Sequence, residues 1–237
     1  DLNYIRVEDD QLLIGALTRH DQVERSSDVR EHCPLLAEAI PYIGHVAIRS
    51  RGTIGGSIVH ADPAAELPLV LATLDGSIGI RNPEGTRYVK YDEFFVTYLT
   101  TMIGSDELVT EIRFPVLRGA WGTSFQEVSR RHGDFALVAA AAVMKLDENG
   151  RVQDVRLGLG GVDGVPFLSA NVPQALMNQI PDEQLLREAS QTVFDEVSPE
   201  SDLHASETYR REVAVALSRR VLTEAYARAQ SARNRGE

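Results

Sequence analysis

Three glycines within five residues constrain this chain more than any other local feature. They lie in the run Gly52-Thr53-Ile54-Gly55-Gly56-Ser57, which His60-Ala61-Asp62-Pro63 follows closely. Because Gly55 and Gly56 have no Cβ, the backbone there can approach a ligand closely. Successive N–H groups in such a loop can converge on an anion, and Pro63 suits the first position of a helix. The run therefore predicts a loop that binds a diphosphate-like group.

The spacing of these glycines matches no standard nucleotide motif. The run lacks the G-x-G-x-x-G spacing of dinucleotide-binding folds, and no lysine follows its second glycine as in a P-loop. A plain Gly-Gly turn between two strands is the alternative interpretation, because glycine pairs are common in turns.

Charge and cysteine content exclude several kinds of partner and cofactor. The 237 residues carry a formal net charge of −11, which disfavours nucleic acid and anionic lipid as partners. The longest apolar run, residues 135–144, is shorter than the roughly 20 residues of a membrane span. Cys33 is the only cysteine, which indicates a cytoplasmic protein and excludes an iron–sulfur cluster held by this chain alone. The six histidines show no metal-ligand spacing, so no metal is expected.

Hydrophobic periodicity predicts a mixture of strands and helices. Strands are expected at residues 4–7, 12–17, 77–80, 86–89, 108–114, 136–146 and 152–159. Helices are expected at 18–24, 35–40 and 63–74, followed by two C-terminal helices with the stripes Leu185-Ala189-Val193 and Tyr209-Val213-Leu217-Val221. Ser206 is the expected N-cap of the last helix. Residues 115–122 lack periodicity and are the expected domain boundary.

Charged residues near these elements have two interpretations each. Arg130-Arg131-His132-Gly133-Asp134 is either solvated charge before a strand or a loop at the mouth of a ligand site. Asp62 and Glu66 either accept hydrogen bonds from sugar hydroxyls or are ordinary carboxylates at a helix start. No G-x-S-x-G elbow surrounds Ser57 and His60, so hydrolase chemistry is not expected.

The glycine run and the residues after it resemble a known family. Arg51-Gly52-Thr53-Ile54-Gly55-Gly56-Ser57 with His60-Ala61-Asp62-Pro63-Ala64-Ala65-Glu66-Leu67-Pro68 is similar to the FAD-binding subunit of molybdenum hydroxylases, of the aerobic carbon monoxide dehydrogenase medium-subunit type. Further similar segments follow in the order of the family over nearly the whole chain: Ile43-Gly44-His45, residues 106–112, 125–128, 130–136 and 159–162, and Ser206 with Tyr209-Arg210-Arg211.

The resemblance implies both a fold and a function. The fold is α+β: an FAD-binding domain of the vanillyl-alcohol-oxidase type over residues 1–117, with its N-terminal subdomain missing, and a C-terminal α+β domain over 122–232 with a three-stranded antiparallel sheet. The function is that of an oxidoreductase flavoprotein subunit within a heteromeric complex. Its FAD accepts electrons from the [2Fe–2S] clusters of a small partner subunit and passes them to an external acceptor. The molybdenum cofactor and the clusters are expected only on partner subunits.

Carried over position by position, the resemblance assigns cofactor contacts to residues of this chain. Thr53, Gly55, Gly56 and Ser57 would contact the diphosphate and ribityl region, and Val109 would be an apolar contact. Gln126 stands where some relatives have a lysine near the flavin. The complete set implied by the resemblance is Thr53, Ile54, Gly55, Gly56, Ser57, His60, Asp62, Glu66, Val109 and Gln126, and no catalytic residue is expected.

The start of the chain departs from the family. Relatives carry an N-terminal subdomain with a first glycine-rich loop, Ala-Gly-Gly-(His/Gln)-Ser, and nothing in residues 1–30 matches it. Two alternatives therefore stay open. One is an interaction subunit of the same complex that binds no flavin, and the other is a stand-alone flavin reductase of the same fold superfamily. The Arg130–Asp134 loop and Arg210-Arg211 favour the complex over the reductase.

Overall fold

The computed structural model describes residues 2–236, which form two principal antiparallel sheets. The strands of the first sheet are β1 (Ile5–Glu8), β2 (Gln11–Gly15), β3 (Ser77–Asn82), β4 (Gly85–Lys90) and β7 (Leu108–Pro115), in the order β1-β2-β7-β3-β4. The strands of the second are β8 (Trp121–Val128), β9 (Val138–Leu146), β10 (Val152–Gly160) and β11 (Phe167–Leu168), in the order β11-β10-β9-β8. A small hairpin joins β5 (Phe95–Thr97) to β6 (Thr100–Thr101).

Helices fill the connections and close the chain. Those of the first half are α1 (His20–Arg25), α2 (Ser27–His32), α3 (Pro34–Ala39), α4 (Val46–Arg49), α5 (Ile54–His60), α6 (Glu66–Thr73) and α7 (Tyr91–Phe94), with a 3₁₀ turn at Ile40–Tyr42. Those of the second half are α8 (Asn171–Leu176), α9 (Glu183–Gln191), α10 (Val193–Glu196) and α11 (Glu207–Arg235). The α+β class predicted from the sequence is confirmed.

Strand β9 is buried on both faces, which explains its alanine-rich sequence. Ala139, Ala141 and Val143 belong to the hydrophobic core that the first sheet and its helices share. Their neighbours Ala140, Ala142 and Met144 belong to a second core beneath α11. Adjacent strand residues point to opposite faces, so small side chains let α6 pack on one face and α11 on the other. The prediction of a strand here, made against helix propensity, is confirmed.

Helix α11 packs through a stripe of small residues. Its buried positions include Arg210, Ala214, Leu217, Val221 and Ala225. The predicted stripe is buried at Leu217 and Val221 and partly buried at Val213, but Tyr209 is 42% exposed, so the prediction is wrong at that one position. The alanines allow the helix backbone to approach β8, where Gly122 lies against the backbone of Ala225 and Ala229. Ser206 caps the helix as predicted, accepting a hydrogen bond from Tyr209 N.

Three predicted elements differ from those observed. Residues 52–57 are not a continuous loop, because α5 begins at Ile54 and contains both Gly55 and Gly56. The helix predicted from Pro63 begins at Glu66 instead, because Asp62 Oδ1 accepts a hydrogen bond from Ala64 N and forms a turn. The C-terminal sheet has a short fourth strand, β11, beside the three predicted ones.

The two sheets are held together across the segment predicted as the domain boundary. Residues 116–119 are irregular, and Arg118 is exposed. Glu38 of α3 accepts a hydrogen bond from Thr123 Oγ1 of β8 and pairs with Arg228 of α11 at 2.6 Å. The division into residues 1–117 and 122–232 stays a prediction. Within residues 2–236, no helix combines the length and apolar character that crossing a bilayer requires.

Candidate functional site

The start of α5 uses its backbone N–H groups internally. Ile54 N donates to Thr18 O at 3.0 Å and Gly55 N to Ala16 O at 2.9 Å. Gly56 N donates to Thr53 Oγ1 at 3.1 Å, which makes Thr53 the N-cap. These N–H groups therefore donate to acceptors within the chain and do not converge on an anion, contrary to the prediction. Side-chain hydroxyls are the donors that remain for a ligand.

The two glycines of α5 have different roles. A Cβ on Gly55 would stand 2.6 Å from Ala16 Cβ, so this buried glycine permits α5 to pack against the turn after β2. Gly56 is exposed, and its Cβ would meet only Thr53 Oγ1, at 2.9 Å. Neither residue is among the glycines with positive φ. Gly56, rather than Gly55, therefore provides an open surface for a ligand.

Several polar residues lie close to Gly56 in the chain. The Thr53 hydroxyl accepts from Gly56 N, which leaves its own proton available to donate. The Ser57 hydroxyl has no hydrogen-bond partner within residues 2–236, and Ser57 is half-buried one residue after Gly56. Arg51 is exposed, and its guanidinium has no partner in the described part of the chain. Two hydroxyl donors and one cation suit a phosphate-bearing ligand.

Two carboxyl groups with raised pKa values lie beyond α5 in the chain, one on α6 and one on β8. Glu66, the first residue of α6, is 4% exposed, and burial together with Asp62 raises its pKa to about 7. Burial and the charge of Glu66 raise the pKa of Glu127 to about 8, and its Oε2 has no hydrogen-bond partner in the described residues. Each carboxyl therefore keeps its proton to a higher pH than an ordinary glutamate, and it can donate a hydrogen bond while protonated.

Replacing Glu127 with glutamine should stabilise the fold at alkaline pH by roughly 1–2 kcal/mol, allowing for partial solvent screening. The folded state holds its proton up to a pKa of about 8, whereas the unfolded chain loses it near the ordinary glutamate value. The native state therefore binds more protons between these values, and stability falls as pH rises through them. Urea unfolding at about pH 5 and about pH 9 measures the effect. The exposed Glu148→Gln is the control. Equal pH dependence in Glu127→Gln and the wild type would contradict the assignment.

Gly52 serves packing rather than ligand approach. A Cβ at this position would stand 2.8 Å from His20 Nδ1. His20 is 4% exposed, and neither ring nitrogen has a hydrogen-bond partner in the described residues. Burial lowers the pKa of His20, with Arg49 contributing in the same direction, so the ring is neutral. The first glycine of the run therefore accommodates a buried histidine.

The remaining predicted site residues are only partly brought together. His60 ends α5 and is exposed, and Asp62 is half-buried just beyond it. Ile54 and Val109 are 0% and 4% exposed and belong to the core beneath α5. Gln126 lies elsewhere: its Nε2 donates to Glu224 Oε2 of α11 at 3.2 Å. Gln126 therefore faces α11 and not the start of α5.

Arg210 is a structural residue whose role was not predicted. It is 8% exposed and donates to the backbone oxygens of Leu137 and Gly161 and to Asp202 Oδ2, at 2.7 Å to the carboxylate. One buried guanidinium thus joins three loops. The sequence carried a weak signal, because Arg210 lies four residues before the buried Ala214 on α11. No group of metal-ligating side chains is present within residues 2–236.

Two family models match the chain. One, described as the FAD binding domain in molybdopterin dehydrogenase, matches residues 1–117. The other, the CO dehydrogenase flavoprotein C-terminal domain, matches residues 123–225.

Individual proteins are similar over nearly the whole chain. The glyceraldehyde dehydrogenase medium chain of Sulfolobus acidocaldarius is 36% identical over 94% of this chain and 79% of its own length. The 6-hydroxypseudooxynicotine dehydrogenase complex subunit alpha of Paenarthrobacter nicotinovorans is 35% identical over 95% and 76%. Among solved structures, a chain of carbon monoxide dehydrogenase from Hydrogenophaga pseudoflava superposes with a TM-score of 0.92 and 30% identity, covering 96% of this chain and 79% of that one. A chain of quinoline 2-oxidoreductase from Pseudomonas putida 86 gives 0.90 and 31%, covering 98% and 79%.

Proposed function

This chain belongs to the family of FAD-binding medium subunits of molybdenum hydroxylases, and we propose that its FAD lies on the open surface at the start of α5. The likeness in sequence and fold over nearly its whole length carries the functional conclusion. The chain is an oxidoreductase subunit with FAD as its cofactor. FAD supplies the capacity to accept electrons and pass them on singly or in pairs.

The residues around Gly56 fit a flavin nucleotide on this side. The exposed Gly56 leaves the space that a side chain would fill. Thr53 and Ser57 would donate hydroxyl protons to phosphate oxygens, and Arg51 would balance phosphate charge. This is a narrower set of diphosphate contacts than the predicted one, because Ile54 and Gly55 commit their N–H groups to the Ala16–Thr18 turn.

The carboxyl groups would bind the hydroxyl-bearing parts of the cofactor. Asp62 would accept hydrogen bonds from hydroxyls, and Glu66, whose pKa burial raises to about 7, would accept one when charged and donate one when protonated. Their position follows α5 directly, so they would continue the surface begun by Thr53 and Ser57. Ile54 and Val109 would support this surface from the core, and His60 would border it. Gln126 would influence the cofactor only indirectly, through Glu224, because its side-chain amide donates to that carboxylate.

We propose that partner subunits supply the electrons that reach this FAD. Cys33 is buried, and burial raises its thiol pKa to about 12. A cluster cannot be held by one cysteine, so the iron–sulfur clusters belong to a small partner subunit and the molybdenum cofactor to a large one. We place this complex in the cytoplasm, since the lone cysteine forms no internal disulfide.

Purification from the cytoplasmic fraction of the native host tests this proposal. The chain is expected to co-purify with a cysteine-rich small subunit and a large molybdenum-containing subunit, and to show the visible absorption bands of bound flavin. A complex with both partners and no flavin would establish the interaction-subunit alternative. A monomer that turns over substrate by itself would establish the stand-alone reductase.

A further inference from the structure

A large cavity opens next to the candidate cofactor surface. Its volume is about 840 Å³, and Asp62, two residues after the end of α5, is one of the residues that line it. The β5–β6 hairpin and three segments of the C-terminal half, residues 130–137, 161–164 and 198–204, complete the wall. A cavity of this size falls within the roughly 300–1,000 Å³ typical of small-molecule sites. Asp62 belongs both to this wall and to the residues proposed to contact FAD, so the cavity adjoins the candidate cofactor surface.

Two aromatic rings form an apolar part of this wall. Tyr98, from the tip of the hairpin, is 58% exposed, and Phe135 is 57% exposed. Exposed rings of this size bury apolar area when a planar ring stacks on them. The loop carrying Phe135 is held by the close packing of Gly133 on His45, where a Cβ would stand 2.7 Å from the imidazole. The aromatic surface is therefore supported, and it suits a planar ligand.

The side chains that line the cavity carry a net negative charge once the ion pairs among them are taken into account. Arg210 is committed to Asp202 and to two backbone oxygens, and Arg130 lies 3.8 Å from Asp134. Three carboxylates then remain without a cation: Asp62, Asp163 and Glu200. His204 is the other basic side chain on the described wall. A cavity with this balance repels a ligand that carries a diphosphate.

We propose that this cavity receives the electron acceptor of the complex and that the acceptor is an uncharged planar quinone rather than an anionic nicotinamide dinucleotide. The proposal rests on the proposed function, because the reduced flavin is the electron donor. FAD would supply two electrons and two protons from its reduced form. A quinone held in the cavity would take them up at its two carbonyls, which would become hydroxyls, and the flavin would be left oxidised.

Equilibrium dialysis of the purified complex against menadione and against NAD⁺ tests the acceptor class. Menadione is expected to bind at least about tenfold more tightly than NAD⁺ at low ionic strength. Phe135→Ala should weaken menadione binding about threefold or more, since a stacking surface is lost. Equal or tighter binding of NAD⁺, or no binding of menadione, would overturn the proposal.

A double variant isolates the role of charge. Asp163→Asn with Glu200→Gln should tighten NAD⁺ binding about three- to tenfold at low salt and leave menadione binding unchanged, and the gain should vanish at high salt. The matched control, Glu148→Gln with Glu212→Gln, removes two exposed charges that do not line the cavity. Identical NAD⁺ binding in the double variant and this control would count against the electrostatic argument.

Flavin content measured on the same samples separates the two proposals. Flavin present with no menadione binding would refute the acceptor site alone. Menadione binding without flavin would refute the proposed electron transfer and, with it, the acceptor role of the cavity.

Discussion

Replacing Gly122 with alanine should lower the free energy of unfolding by about 3 kcal/mol, because the added methyl has no room. Its Cβ would stand 2.5 Å from Ala229 N and closer still to the carbonyl oxygen of Ala225. Both obstacles are backbone atoms of α11, so no side-chain rotation relieves the overlap and the helix must move away from β8. Its buried alanines would then lose contact with β9.

Thermal and urea unfolding measure this loss. For a chain of this length, about 3 kcal/mol corresponds to a fall in Tm of roughly 6–12 °C. The control is Gly104→Ala, where the nearest atoms are side-chain atoms of Asp106 and Glu107, beginning at 3.3 Å. An unchanged midpoint in Gly122→Ala would mean that α11 does not pack on β8 at this distance.

Replacing Gly56 with valine should remove FAD while the fold persists. The isopropyl group would occupy the open surface between Thr53 and Ser57, and the flavin content of the purified complex should fall at least about tenfold. Gly56 has no positive φ, so backbone strain does not contribute. Disturbing the Thr53 cap costs about 1 kcal/mol, which is small against the roughly 5–15 kcal/mol of a typical domain.

Visible absorbance measures the bound flavin, and far-ultraviolet circular dichroism of the same sample shows whether the fold persists. Gly56→Ala adds a single methyl and should reduce flavin content less than Gly56→Val. Gly104→Val, at an exposed glycine outside the glycine run, should retain flavin. Full flavin occupancy in Gly56→Val would show that the cofactor does not lie on this surface.

Much of the fold could be predicted from local patterns. Asn-Gly pairs favour tight hairpins, so Asn149-Gly150 indicates the turn between β9 and β10, where Gly150 has a positive φ of 81°. A hairpin at this point implies that the alanine-rich segment before it is a strand, although alanine favours helices. Ser206 marked the start of α11 because a hydroxyl at that position satisfies an otherwise free N–H group.

Other features could not be predicted because their causes lie in distant segments. The start of α5 was expected to be a loop, yet its N–H groups are bound by the Ala16–Thr18 turn. The expected stripe of α11 is wrong at Tyr209, which is exposed, because the neighbouring Arg210 is the residue turned inward to bond Leu137, Gly161 and Asp202. The pairing of Gln126 with Glu224 likewise depends on how α11 crosses β8.

The sequence by itself showed the resemblance to the flavoprotein family, and that resemblance implied the α+β class, the flavin cofactor and the partner subunits. The single cysteine excluded an iron–sulfur cluster held by this chain alone. Only the tertiary structure decided that Gly56 is exposed while Gly55 is buried, that the pKa values of Glu66 and Glu127 are raised, and that Arg210 is bonded to three loops. Hydrogen-bond partners, burial and pKa depend on what packs around a group. For Gly55, Glu127 and Arg210, those neighbours come from parts of the chain that local sequence does not specify.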